Sequence, residues 1–140
     1  MKPILLATDG SEHAQQAAKQ AIELAEEQGV PLYALCVVDK RRFDNPALSS
    51  AELATIYAED HASMCVSKVA DMAEESNVRV EGGIRHGIPH EVILEYAAEV
   101  DADAIVIGEH GDHTEHFSGV GGKVAELADR DVIVVRAQTV

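Results

Sequence analysis

The chain has 140 residues, enough for one domain with a full core and too few for two ordinary ones, so a single domain over residues 1–140 is expected. Its 11 Lys and Arg against 25 Asp and Glu leave a formal charge of −14, a surface that repels nucleic-acid phosphate and anionic lipid and excludes both as partners. The acid is spread over the helical stretches with no acidic tail, which reads as solvation, in keeping with a salt-rich cytoplasm, and not as a site.

Met1-Lys2-Pro3 leads directly into an apolar run without a signal-like segment, and the longest apolar run, Val30 to Val38, is far short of a membrane span; a cytoplasmic protein is expected. Ile4 to Thr8 is continuously apolar, as suits a strand covered on both faces. Asp9-Gly10-Ser11 breaks it, and Ser11 is placed to cap a helix. Ala14, Ala17, Ala18, Ala21, Ile22 and Ala25 follow at helical spacing up to Gly29, where a C′ glycine belongs. Pro31 to Val38 predicts a second strand. Residues 40–50 are polar, with Lys40-Arg41-Arg42 and Asn45-Pro46, and predict a surface loop.

From Ala51 to about Ser76 the spacing predicts one long helix, or two with a kink near Asp60-His61, with Leu53, Ile56, Tyr57, Met64, Val66, Val69 and Met72 as its apolar positions. Val78 to about Arg85 alternates imperfectly around Gly82-Gly83 and predicts an edge strand. Gly87-Ile88-Pro89-His90-Glu91 is a helix start, with proline in the first turn and an acid to complement the dipole. Ile93, Leu94, Tyr96, Ala97 and Val100 are its buried side. Ala102 to Ile107 is a fourth strand, a short helix ends near Asp129, and Val132 to Val135 is a fifth strand. Cys36 and Cys65 form no Cys-x-x-Cys pair; two buried thiols are expected in place of a disulfide.

Strands alternating with helices, with the strands nearly all apolar, specify an α/β fold: a doubly wound parallel sheet. Right-handed crossovers leave the orders 2-1-3-4-5 and 3-2-1-4-5, and both collect ligands at strand C-termini beside strand one. In the second order Asp9-Gly10 faces Gly108 across one crevice. The connection Gly108 to Lys123 is then of most interest. Its glycines let backbone approach a ligand, and the first amides of the following helix suit phosphate. A glycine-rich connection is also compatible with a mere turn.

Ile4-Leu5-Leu6-Ala7-Thr8-Asp9-Gly10-Ser11, Gly87-Ile88-Pro89-His90-Glu91, and Val106-Ile107-Gly108-Glu109-His110-Gly111 with the closing Val132-Ile133-Val134-Val135 resemble the universal stress protein family, in order and over essentially the whole chain. The resemblance implies a five-stranded sheet of order 3-2-1-4-5, a homodimer through the last strand, and a cytoplasmic stress sensor with an unknown regulatory protein partner. It also implies binding of ATP, ADP or AMP with Mg2+ through the pattern Gly-x2-Gly-x9-Gly-Ser/Thr. Gly108 and Gly111 match its first two glycines and Gly121 the third, which leaves Gly122 where a hydroxyl is usual. In a second register Ser118 replaces the last glycine, Gly119-Val120 take the Ser-Val positions, and the loop is about three residues short. On the same resemblance Asp9 holds the ribose or the metal region and the Val37 backbone reads adenine, with Ala7, Thr8 and Ile107 also nucleotide-binding; His110, inside the Gly-x2-Gly turn, is placed to touch phosphate. Cys36 stands where the family commonly has histidine.

Other chemistries have weaker support in the sequence. His110, His113 and His116, interleaved with Glu109, Asp112 and Glu115, would suit zinc or nickel if the loop were helical, and a metal-binding regulator is one alternative function. Gly119 to Lys123 fails as a P-loop, because Phe117 and Val124 stand at required positions. A dinucleotide fingerprint fails because the glycines do not follow strand one. A phosphoacceptor receiver domain needs an Asp where Arg85-His86-Gly87 stands, and Ser11 and Ser118 lack the elbow of a hydrolase. No general base for turnover is evident, so at most slow ATP hydrolysis is expected. The remaining alternative is an interaction module of the same family with an empty crevice.

Overall fold

The computed structural model describes residues 2–8, 12–38, 51–109 and 120–136. They form β1 (Ile4–Thr8), α1 (Glu12–Gln28), β2 (Leu32–Val38), α2 (Ala51–Ala73) with a 3-10 turn at Glu74–Ser76, β3 (Val80–His86), α3 (Pro89–Val100), β4 (Ala104–Glu109), α4 (Val120–Leu127) and β5 (Asp131–Arg136). The strands make one parallel sheet in the order β3-β2-β1-β4-β5, the second of the two orders the crossovers allow.

Every residue of β1 is buried because the strand is central and covered on both sides. Ile4 and Leu6 point into a core with Ala17, Ala18, Ala21 and Ile22 of α1 and Val69 and Ala73 of α2. Leu5 and Ala7 point into the opposite core, with Ile93, Tyr96 and Ala97 of α3 and Val124 of α4. The alternation of Cβ direction along a strand therefore sorts one apolar run into two cores. The alanines let α1 lie close across β1 and β4. α1 ends where expected: Gly29 has φ 66°, and the Val30 amide donates to the Ala25 carbonyl at 3.0 Å. At the far end of α3, Asp101 takes the left-handed conformation, at φ 53°, and its amide donates to the carbonyls of Ala97 and Ala98.

α2 corrects one expectation. Its described inward residues are Ala62, Cys65, Val69 and Ala73, whereas Met64 is 61% exposed and Met72 38%. Small residues carry the contact because the helix sits close to β2 and β3, and the long methionines are left on the outside. The helix runs unbroken through Asp60-His61. The side chains of Leu53, Ile56 and Tyr57, and the polar loop at 40–50, lie outside the described residues.

β3 is an edge strand, as its irregular pattern predicts, and its two glycines have separate reasons. A Cβ on Gly82 would run into the Cγ1 of Val66 from α2. A Cβ on Gly83 would lie 2.6 Å from the Tyr96 hydroxyl of α3. The pair lets helices approach both faces of the same strand. Bounds elsewhere shift by two residues: β3 begins at Val80, β4 at Ala104, and α4 ends at Leu127.

Candidate functional site

β1 and β4 lie side by side, with Ala7 opposite Ile107, so the chain leaves both strands at the same end of the sheet. From β1 it goes to α1, which packs on the Leu6 and Val106 face; from β4 it goes to α4, whose Val124 packs on the Leu5 and Ile107 face. Two connections that diverge to opposite faces open a crevice between them at the strand C-termini. One strand further, Cys36 of β2 stands opposite Thr8, which puts Val37 at the same end.

The fold thus brings together Ala7, Thr8, Val37, Ile107 and Gly108. Ala7, Thr8 and Ile107 are buried, while Val37 and Gly108 are half-buried and reach the surface of the crevice. Val120, Gly121 and Gly122 are the first three residues of α4, whose opening amides have no carbonyl partner within the helix. Gly122 is exposed, and among the described residues nothing lies within 4 Å of where its Cβ would stand. The missing hydroxyl at this position is therefore not forced by crowding. Asp9, His110, Gly111 and Gly119 lie outside the described residues, as do Asp112, His113, Glu115 and His116 of the metal alternative. Among the described residues no group of three or more His, Cys, Asp or Glu is placed to hold a metal ion.

The rim suits a planar, partly apolar ligand with an anionic end. Val37 offers an apolar wall, half-buried Gly108 brings backbone to the rim, and the α4 amides supply neutral donors. Those same described residues bring no acid to the crevice. Among the described residues no helix is long and apolar enough to cross a membrane.

A second polar cluster escaped the sequence reading. On the edge strand β3, where Arg85 stands opposite Val37, the Arg85 guanidinium lies 5.0 Å from the centre of the Tyr96 ring and 3.5 Å from Glu99. Tyr33 meets Tyr96 edge to face at 6.3 Å. Burial pushes the Tyr96 phenol above its ordinary pKa, and the neighbouring Arg85 charge opposes that shift. The cluster fixes α3 to β2 and β3. Its only sequence signal is the odd parity that puts Tyr33, Gly83 and Arg85 on one face, visible once the strand register is known.

The family model for the "Universal stress protein family" matches residues 1–136. Universal stress protein MJ0531 of Methanocaldococcus jannaschii is 38% identical over 111 residues, a stretch that takes in 79% of this chain and 65% of that relative. The structure of hypothetical protein MJ0577 superposes with a TM-score of 0.82 at 26% identity, covering 99% of this chain and 98% of the other. A universal stress protein from Archaeoglobus fulgidus, solved in complex with dAMP, gives a TM-score of 0.69 at 27% identity over 96% of this chain and 98% of its own. With the sheet order, the crevice and the matched span in agreement, the chain belongs to the universal stress protein family.

Proposed function

We propose that the protein binds an adenine nucleotide, ATP or its ADP and AMP relatives, in the crevice between the C-termini of β1 and β4, and acts as a nucleotide-responsive sensor. The observation that carries this reading is the pairing of Ala7 with Ile107, which sets the two strand ends and their diverging connections around one opening. The dAMP complex of the Archaeoglobus relative supports adenine as the base. In this reading adenine lies against the Val37 backbone and the ribose near Thr8 and Asp9. The phosphates lie over Gly108, His110, Gly111, Gly119, Val120, Gly121 and Gly122, with Mg2+ offsetting their charge. Binding is the function. In this reading turnover, if any, is slow.

Thermal melting with and without ATP and Mg2+ tests it. Ligand at about a hundredfold over its dissociation constant stabilises the fold by roughly 2.7 kcal/mol, a readable rise in Tm. An unmoved Tm at millimolar nucleotide contradicts the reading. The same family membership suggests a homodimer through β5, and the exposure of Ile133 (37%) on that edge strand supports it. Sedimentation at micromolar protein distinguishes a dimer from a monomer.

A further inference from the structure

Two thiols that the nucleotide reading does not use share one buried cluster near the crevice end of the sheet. Cys36 on β2 and Cys65 on α2 are each 3% exposed and share one small buried cluster with Ala62, against which Val66 and Ile84 pack. Ala62 and Cys65 are three residues apart on α2 and so lie on one face of it, with Cys36 as the strand residue of the cluster. Both cysteines are thiols in this structure, and they are the chain's complete set. No third ligand among the described residues joins them into a metal site. Cys36 also stands opposite Thr8 and immediately before Val37, so whatever fastens Cys36 fastens the strand that borders the crevice.

We propose that Cys36 and Cys65 are an oxidisable dithiol that a peroxide closes into an intramolecular disulfide, tying β2 to α2. One thiolate attacks a peroxide oxygen; the O–O bond breaks, a sulfenic acid forms, and the departing hydroxide takes up the thiol's proton and leaves as water. The second sulfur, losing its own proton, displaces hydroxide from the sulfenic sulfur, which forms the S–S bond and a second water. Two thiols are oxidised, one peroxide is reduced to two waters, and no other reactant is needed. Burial slows both the entry of oxidant and later reduction, so the pair responds to sustained oxidation and not to a brief pulse. The closed bond would span the long segment from 37 to 64, which restricts the unfolded chain and raises stability.

The test treats the intact protein with hydrogen peroxide under native conditions, blocks remaining thiols, and reads intact mass and a non-reducing peptide map. The expected result is a mass lower by two hydrogens, a single Cys36–Cys65 linked peptide, and unchanged mobility as a single chain on a non-reducing gel. Tm rises by roughly 5–10 °C and returns on reduction. Cys36→Ala and Cys65→Ala, each left with one thiol, gain oxygen on that sulfur and show no such rise in Tm. Wild-type protein that instead adds oxygen to the two sulfurs separately, forms disulfides between chains, or keeps both thiols unreacted until unfolded overturns the proposal. The measurement uses no nucleotide, so it stands or falls separately from the nucleotide reading.

Discussion

Arg130 follows α4, and one of its guanidinium nitrogens donates to the carbonyls of both Ala97, at 3.0 Å, and Ala102, at 2.7 Å. Those carbonyls belong to the last turn of α3 and the approach to β4, so one side chain holds three segments at the end of the sheet opposite the crevice. Arg130→Ala leaves both acceptors without that charged donor and should cost about 2 kcal/mol, read by urea denaturation, with nucleotide binding unaffected. At the crevice the open space around Gly122 makes a different prediction. Gly122→Ser meets no described atom within 4 Å of its Cβ and supplies a hydroxyl donor, so nucleotide affinity should rise about tenfold in a calorimetric titration. Unchanged affinity would favour the register in which Gly119 takes the Ser position. Tyr96 sets a pH limit. Its raised pKa means the fold favours the neutral phenol, so the stability it contributes is complete below the ordinary value of 10.0 and is lost as pH rises through the folded value. Wild-type stability should therefore fall more steeply above pH 10.0 than that of Tyr96→Phe, measured by chemical denaturation across that range.

Among the elements, β3 shows why a local pattern can be right about an outcome and silent about its cause. The glycine pair reads as a weak edge strand, and β3 is one. The physical reason is the approach of α2 through Val66 and of α3 through Tyr96, which no pattern within the strand contains. Gly82→Ala should destabilise by about 1–3 kcal/mol, and Val66→Ala in the same chain should recover part of that, since removing both methyls of the valine makes room for the new Cβ. β1 was legible at both ends because a strand buried on two faces must be apolar throughout. α1 was legible because its alanines repeat at helical spacing and Gly29 closes them. α2 was not. Methionines weigh as apolar and alanines count for little, yet its described contact is made through Ala62, Cys65, Val69 and Ala73, and Met64 faces outward.

At the scale of the molecule, chain patterning left two sheet orders open, because right-handed crossovers satisfy both. The motif resemblance favoured 3-2-1-4-5, and the observed register agrees. The rim residues on β1, β2 and β4 could be located from sequence because they end strands that the core dictates. The Gly108 to Lys123 loop could not be fixed in the same way: its glycines permit two registers, and residues 110–119, which distinguish them, lie outside the described residues. A chain of charge −14 repels a nucleotide's phosphates, so under the proposed reading the local amides of α4 and a divalent cation would have to outweigh the field of the whole surface. Calorimetric titration of the intact protein with ATP in the presence of Mg2+, set beside Gly108→Val, tests the central claim most directly. Saturable binding to one site per chain, abolished in Gly108→Val while its circular dichroism and Tm without ligand stay near wild type, is the predicted result. Absence of binding to ATP, ADP, AMP and dAMP alike, or undiminished binding by Gly108→Val, would contradict it.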